Sequence, residues 1–192
     1  MSAKCVFTSL FFAAQLGGTS SILAEGKAEQ PSIASIEKDV GEIFARARLE
    51  PKQGSNVQGF VVFAKTDVGA EIVARVEGAS PGLKGMHVHE KGDCSAEDAS
   101  SAGGHYNPGK KPHGHVGFHG VHAGDFGNIP IDESGVGMLN IVVTDKMNLG
   151  LKDWNNFIGK AVVLHDGTDD LSSQPSGDSG NRIACGVIQK TP

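Results

Sequence analysis

Seven of the eight histidines in this chain fall between residues 87 and 125. Histidine this dense suggests a metal site, and such a site restricts the fold because distant segments must meet around one ion. The segment opens with His87-Val88-His89, and residues i and i+2 of a strand face the same side, so both imidazoles can bind one ion. As an isolated pattern this pair is a weak signal, because it also occurs by chance in polar loops.

The remainder of this segment predicts a long ordered loop. Glycine and proline interrupt residues 103–108, which disfavours both strand and helix. A loop of this length is usually functional or disordered, and a bound metal is one way to order it. Three imidazoles and one carboxylate would suit tetrahedral zinc, and the candidates are His105, His113, His122 and Asp125. His115 and His119 are not needed for such a site, and we interpret them as solvated loop residues.

Alternating apolar residues elsewhere predict an all-β fold. Twenty-seven glycines and only 6% aromatic residues accompany many short β-branched runs, which favours a loop-rich β domain over a helical one. Seven or eight short strands with two long functional loops predict a Greek-key β-sandwich or flattened eight-stranded barrel. Strands are predicted near 43–49, 57–63, 70–76, 86–89, 139–143, 161–164 and 185–188.

The first predicted strand has one buried face. Ile43, Ala45, Ala47 and Leu49 alternate with Glu42, Phe44, Arg46 and Arg48. Because the side-chain period of a strand is two, the second set, including Phe44, is expected on the outer face.

Residues 1–24 are typical of a signal peptide. Lys4 precedes an apolar run from Val6 to Leu16, and small residues continue to Ala24. The run is too short to cross a bilayer, which takes about 20 apolar residues in a helix. We therefore predict a periplasmic or secreted protein with no membrane insertion after processing.

The rest of the chain is predicted to form a linker and one domain. Residues 25–42 are interpreted as a linker, although the spacing of Ile33, Ile36 and Val40 also allows a short helix. Residues 43–190 form the predicted domain, which is long enough for one sizeable core.

Two cysteines remain once the predicted signal peptide, with Cys5, is removed: Cys94 and Cys185. An even pair in an oxidising compartment predicts a disulfide. The alternative, that Cys94 is a metal ligand, is weaker because no second thiol lies near it in the sequence.

The charge pattern excludes some partners. The net charge is −5, with no basic stripe for nucleic acid and no basic amphipathic helix for a membrane surface. An anionic substrate would be opposed by this overall charge, so its attraction would have to be local. Arg182 is the candidate cation, and the alternative is an ordinary surface arginine.

Five segments resemble, in order and spacing, the copper/zinc superoxide dismutase family. They are GMHVHE (85–90), SAGGHYNP (101–108), HAGD (122–125), VLH (163–165) and RIACGVI (182–188). The resemblance covers about residues 43–188. Members of this family are standard examples of sandwich architecture, so the resemblance agrees with the predicted fold.

Carried over residue by residue, the resemblance implies one copper and one zinc ion per chain. The copper ligands would be His87, His89, His105 and His165. The zinc ligands would be His105, His113, His122 and Asp125, so that His105 bridges both metals. Asp169 would accept hydrogen bonds from His87 and His113 and fix their ring orientation.

The resemblance also implies an activity. The family converts superoxide to oxygen and hydrogen peroxide by alternate reduction and reoxidation of copper, here as antioxidant defence outside the cytoplasm. Arg182 and His105 would be the catalytic residues, since Arg182 would dock the anion and His105 would exchange a proton. Cys94 and Cys185 match the family disulfide, and a homodimer is one of the assemblies that the family allows.

Two details refine the resemblance. Cys94 follows His89 by only five residues, which is similar to the bacterial periplasmic branch. Residues 172–179 contain no lysine where many members carry one to guide the anion, so Arg182, helped by Lys110 and Lys111, would act more alone. The alternative function is an exported copper/zinc carrier or buffer without turnover, for which His115 and His119 give some motive.

Overall fold

The computed structural model describes residues 32–115, 117–144 and 153–192. The predicted signal peptide, residues 1–24, lies outside these ranges, as do residues 25–31 of the predicted linker. Within the linker the structure has a short helix, α1 (Ile33–Asp39), whose first turn is capped by a hydrogen bond from the Ser35 N–H to Ser32 Oγ at 3.2 Å. Ile36 of this helix is buried together with Val62 and Val73.

Eight antiparallel strands form a closed barrel, which confirms the all-β eight-stranded prediction. The order around the barrel is β1-β2-β3-β6-β5-β4-β7-β8, and β8 pairs with β1. Because β3 lies beside β6 and not beside β4, the topology contains a Greek key. The strands are β1 (Glu42–Pro51), β2 (Gln58–Thr66), β3 (Gly69–Glu77), β4 (Gly82–His89), β5 (Asp125–Ile131), β6 (Gly137–Thr144), β7 (Ala161–His165) and β8 (Arg182–Lys190).

The barrel interior is filled by large apolar side chains that are almost fully buried. They include Leu49, Phe63, Ile72, Met86, Phe126, Phe157 and Leu164. Phe44 belongs to the same core, with 5% of its surface exposed, so the prediction that it lies on the outer face is wrong. The pairing of β1 with β2 shifts register between Ile43 and Ala45, and the irregularity turns Phe44 inward.

β5 is the strand that the sequence patterns did not identify. Its sequence, DFGNIPI, contains glycine, asparagine and proline, which are all depleted in strands. Two long connections start from opposite ends of the barrel, residues 90–124 between β4 and β5 and residues 166–181 between β7 and β8. They meet beside the barrel, where Gln174 and Asp169 contact His113. Short 3-10 helices occur at Ser100–Ala102 and Trp154–Phe157. In the described ranges, no helix has the length and apolar character that a membrane crossing requires.

Candidate metal centre

The last residues of β4 bring two imidazoles to the end of the barrel. His87 and His89 are 0% and 1% exposed, and both belong to one cluster of potential ligands. His87 pairs with Val163 of β7 on one side and with Asp125 of β5 on the other. The His-x-His pattern therefore lies on a central strand whose neighbours also carry candidate ligands.

Backbone hydrogen bonds bring the long loop against β4. The Tyr106 N–H donates to the Val88 carbonyl at 2.7 Å, the Val88 N–H to the Gly124 carbonyl at 2.9 Å, and the Gly124 N–H to the Tyr106 carbonyl at 3.0 Å. A Cβ on Gly124 would collide with the Val88 carbonyl oxygen, so this close approach requires glycine. His105 pairs with His89 in an isolated bridge as a result.

The four residues predicted for copper form what we call the four-histidine cluster: His87, His89, His105 and His165. Each offers one ligand nitrogen, and these atoms lie within 4.8 Å of one another. One nitrogen of each ring is buried without a hydrogen-bond partner: Nδ1 of His87 and Nε2 of His89, His105 and His165.

The other nitrogen of each ring is held by a specific oxygen. His89 Nδ1 lies 2.9 Å from the Gly103 carbonyl oxygen, and His165 Nδ1 lies 3.2 Å from that of Gly180. His87 Nε2 is 2.8 Å from Asp169 Oδ2. These contacts define the orientation of the rings and direct the unpartnered nitrogens toward one point.

Burial keeps these imidazoles neutral. Desolvation lowers the pKa of His89 to about 2, of His165 to about 3 and of His105 to about 4. It also lowers the pKa of His87, against the opposing effect of Asp169. Neutral imidazole is the form that binds a metal.

The residues predicted for zinc form a second group, the aspartate cluster: His105, His113, His122 and Asp125. Their Nδ1 atoms lie 2.8, 3.0 and 3.1 Å from Asp125 Oδ1, in that order. Burial raises the pKa of Asp125, but hydrogen bonds from the three histidines outweigh it and hold the pKa well below its usual range. Three nitrogens and one anionic oxygen are a common donor set for zinc.

Asp169 connects the two clusters. Its Oδ2 lies 2.8 Å from His87 Nε2 and its Oδ1 lies 2.9 Å from His113 Nε2. Burial alone would lower the pKa of His113, but hydrogen bonds to Asp125 and Asp169 raise it to about 9. These contacts place Asp169 between His87 of the four-histidine cluster and His113 of the aspartate cluster.

Two further side chains that the sequence reasoning missed hold this network. Asn128 Nδ2 donates to the Asp169 carbonyl at 2.9 Å, and its Oδ1 accepts from the Asp169 N–H at 2.8 Å. Gln174 makes the same two-way contact with the backbone of His113, at 2.8 and 3.0 Å. Neither amide belongs to a motif, so no local pattern could have identified it.

Arg182 lies in a cleft of about 400 Å³ that opens onto both clusters. Its Nη1 donates to the Ala99 carbonyl and its Nη2 to the Gly103 carbonyl, both at 2.8 Å. The cleft is lined by His89, Gly104, His105, Asn107, His122, His165, Pro175, Ser176, Gly180 and Arg182. Lys110 and Lys111 are not among these lining residues.

The predicted disulfide between Cys94 and Cys185 is present and stabilises this wall of the cleft. Its sulfur atoms are 2.01 Å apart, and it links the 90–104 segment to β8. The cysteines pack with Ala99 and Ala102, so the loop carbonyls that hold Arg182 are tied to the strand that carries it.

These observations fit a copper ion and a zinc ion. Four buried nitrogens converge without partners in one cluster, and the other supplies the donor set of zinc. Within the described ranges, His115 and His119 belong to neither cluster; His115 Nδ1 instead accepts a hydrogen bond from the Gly117 N–H at 2.9 Å.

Comparison with known proteins gives the same result. The family model for copper/zinc superoxide dismutase (SODC) matches residues 57–188. An extracellular superoxide dismutase [Cu-Zn] of Drosophila melanogaster is 38% identical over 150 residues, which cover 73% of this chain and 81% of that protein. Superoxide dismutase [Cu-Zn] 1 of Aquifex aeolicus is 37% identical over 155 residues, 77% of this chain and 89% of its own length.

Two further similarities cover most of the chain. Superoxide dismutase [Cu-Zn] 2 of Aquifex aeolicus is 38% identical over 163 residues, 81% of this chain and 91% of that protein. A crystal structure of the clock protein EA4 superposes with a TM-score of 0.66 at 36% identity, covering 77% of this chain and 94% of that one.

Proposed function

The chain belongs to the copper/zinc superoxide dismutase family, and from that premise we propose which of its residues carry out the reaction. Its activity is the dismutation of superoxide to oxygen and hydrogen peroxide, with copper and zinc as cofactors. The observation that carries the proposal is the set of four unpartnered buried nitrogens next to the aspartate cluster.

We propose that the four-histidine cluster holds copper and that the aspartate cluster holds zinc. Bound copper supplies the one-electron redox chemistry that dismutation requires, which zinc cannot supply. His105 belongs to both clusters, with Nε2 facing the four-histidine cluster and Nδ1 facing Asp125. Its Nε2 is the atom at which a proton is taken up and returned during turnover.

Arg182 would bind the anion. Two of its guanidinium nitrogens are fixed by backbone carbonyls, so the charge is held at the cleft instead of moving with a flexible side chain. Because the chain is acidic overall, this fixed charge would supply the local attraction for superoxide. Asp169 would fix the orientation of the His87 and His113 rings relative to each other.

We propose that the protein is exported and is of the bacterial periplasmic type. Export is supported by the disulfide, by the similarity to the Drosophila extracellular enzyme and by the composition of residues 1–24. The periplasmic type is supported by the five-residue step from His89 to Cys94 and by the two Aquifex relatives. The limits 25–42 for the linker and 43–190 for the domain, and a homodimer, stay predictions.

The direct test is superoxide decay followed by pulse radiolysis on protein loaded with one copper and one zinc per chain. We expect a rate constant near the diffusional ceiling, about 10⁸–10⁹ M⁻¹ s⁻¹, of which superoxide dismutase is itself a standard example. A fully loaded protein that barely accelerates decay would favour the carrier or buffer.

A further inference from the structure

Hydrogen bonds beside the cleft join the residue that follows His165 to the residue that precedes Arg182. These two residues are Asp166 and Asn181. The Asn181 N–H donates to Asp166 Oδ1 at 2.8 Å, and Asn181 Nδ2 donates to Asp166 Oδ2 at 2.9 Å. The Asp166 N–H donates back to the Asn181 carbonyl at 2.9 Å. The segments that carry His165 and Arg182 are therefore connected by three hydrogen bonds.

This pair of residues is also attached to the barrel. Lys84 on β4 is only 8% exposed, and its Nζ donates to the Asp166 carbonyl oxygen at 2.6 Å. Gly180 has a φ of +80°, and a Cβ there would collide with Asp166 Oδ1. Glycine therefore lets the carboxylate lie directly against the backbone that leads to Arg182.

Arg182 is consequently held at both ends. Its guanidinium is fixed by the carbonyls of Ala99 and Gly103, and its backbone follows the residue that Asp166 holds. The register between β7 and β8 shifts beside His165, where His165 pairs with Arg182, so the regular strand ladder does not determine their spacing alone. The side chain of Asp166 supplies contacts at this irregular position.

We propose that Asp166 is a positioning residue for anion binding, because by holding Asn181 it sets where the Arg182 guanidinium meets an anion in the cleft. The inference rests on the proposed role of Arg182. The negative charge of Asp166 by itself repels an anion, so its charge and its positioning role act in opposite directions. Removing the carboxylate would strengthen anion binding if charge dominated and weakens it if positioning dominates.

The test uses azide as a small anionic probe of the copper- and zinc-loaded protein, with its dissociation constant measured by absorption titration. We expect Asp166→Ala to weaken azide binding about fivefold, the factor that corresponds to one ordinary hydrogen bond. Asn181→Ala changes no charge and is expected to give a similar loss. Since both act through one contact, the double variant should lose little more than either alone.

The matched control is Asp132→Ala, which removes an equal charge from a turn. Asp132 Oδ1 accepts from the Ser134 N–H at 2.8 Å, and Asp132, which directly follows β5, lies about 23 Å from Asp125 at 3.3 Å per residue. Its azide affinity should equal that of the unmodified protein. Asp166→Asn keeps an acceptor for the Asn181 N–H without the charge, so it should bind azide at least as tightly as the unmodified protein.

The outcomes separate the two proposals. Tighter azide binding by Asp166→Ala, or additive losses in the double variant, would overturn the positioning role. If Arg182→Ala leaves azide affinity unchanged, the proposed role of Arg182 fails first. Metal content and melting temperature are measured for each variant; if Asp166→Ala does not fold, Asn181→Ala and Asp166→Asn decide the question.

Discussion

The two metal clusters share His105 but are held by different parts of the molecule. In the four-histidine cluster, His87 and His89 lie on β4 and His165 ends β7, so paired strands define their positions. In the aspartate cluster, His113 and His122 lie in the 90–124 loop, and their nitrogens gather around the carboxylate of Asp125.

This difference shows how one site can combine ligands on rigid paired strands with ligands on a long loop. The strand ladder holds His87, His89 and His165, and the ligand nitrogens of the four-histidine cluster have no hydrogen-bond partner. The histidines of the aspartate cluster lie outside the paired strands, so hydrogen bonds to Asp125 hold their rings in place. We therefore expect substitutions at Asp125 to act on zinc and loop order, and substitutions on the strands to act on copper.

The largest effect is expected at His105, the residue that both clusters share. His105→Ala should reduce superoxide decay to the uncatalysed rate and weaken both metals, since each cluster loses a ligand. Pulse radiolysis and metal analysis after dialysis would measure this. His89→Ala is the comparison, because it should lose copper while zinc is retained; zinc loss in both variants would contradict the division into two clusters.

The next largest effects are expected at two carboxylates: Asp169, which contacts both clusters, and Asp125, which belongs to the aspartate cluster alone. Asp169→Asn should weaken copper and zinc binding about 10- to 100-fold each, as is usual when a residue that orients metal-binding histidines is changed. Asp125→Asn should weaken zinc strongly and copper little. Competition titrations with chelators would measure both affinities, and equal copper losses in the two variants would remove the distinction.

Removing the disulfide tests how much this bond between the 90–104 segment and β8 contributes to stability. Cys94→Ser with Cys185→Ser opens a link with a sequence separation of 91, and the chain-entropy model gives about 4.6 kcal/mol of lost stability. Urea unfolding of the metal-free protein would measure the free energy of unfolding. The unmodified protein in reductant is the control, and a change below about 1 kcal/mol would show that packing around Ala99 and Ala102 suffices.

Arg182→Glu is expected to change the structure little but to lower the rate constant for superoxide decay. Reversing this charge should lower the rate constant by about 10-fold or more at low salt, and the difference should shrink as ionic strength rises. Arg48→Glu is the matched control, since its side chain is 80% exposed and forms an ion pair with Glu50 on the outer barrel face. Equal losses in the two variants would mean that net charge, and not the position of Arg182, governs the rate.

The smallest effect is expected at His119, which is exposed and belongs to neither cluster. His119→Ala should change stability by no more than about 0.5 kcal/mol and leave one copper and one zinc per chain. Metal analysis and thermal unfolding would check this. Loss of either metal would show that His119 takes part in metal binding and would revive the carrier interpretation.

Much of the site could be predicted because its ligands lie in short segments with recognisable spacing. The His87-Val88-His89 pair follows from strand periodicity, and HAGD carries His122 and Asp125 within four residues. The disulfide followed from an even cysteine pair. β5 and the inward turn of Phe44 could not be predicted, because DFGNIPI lacks strand propensity and a register shift breaks the period of two.

The sequence by itself determined the class of fold, the candidate ligands and the cysteine pair, since these depend on residue type and local spacing. Only the tertiary structure decided which nitrogen of each ring is free, and how Asn128, Gln174 and Asp166 hold the backbone around the site. Asn128 and Asp169, for example, are 41 positions apart, and a hydrogen bond across that distance leaves no periodic trace in the chain. Such contacts form only when the barrel folds and brings the two long loops, which leave it at opposite ends, together beside β4 and β5.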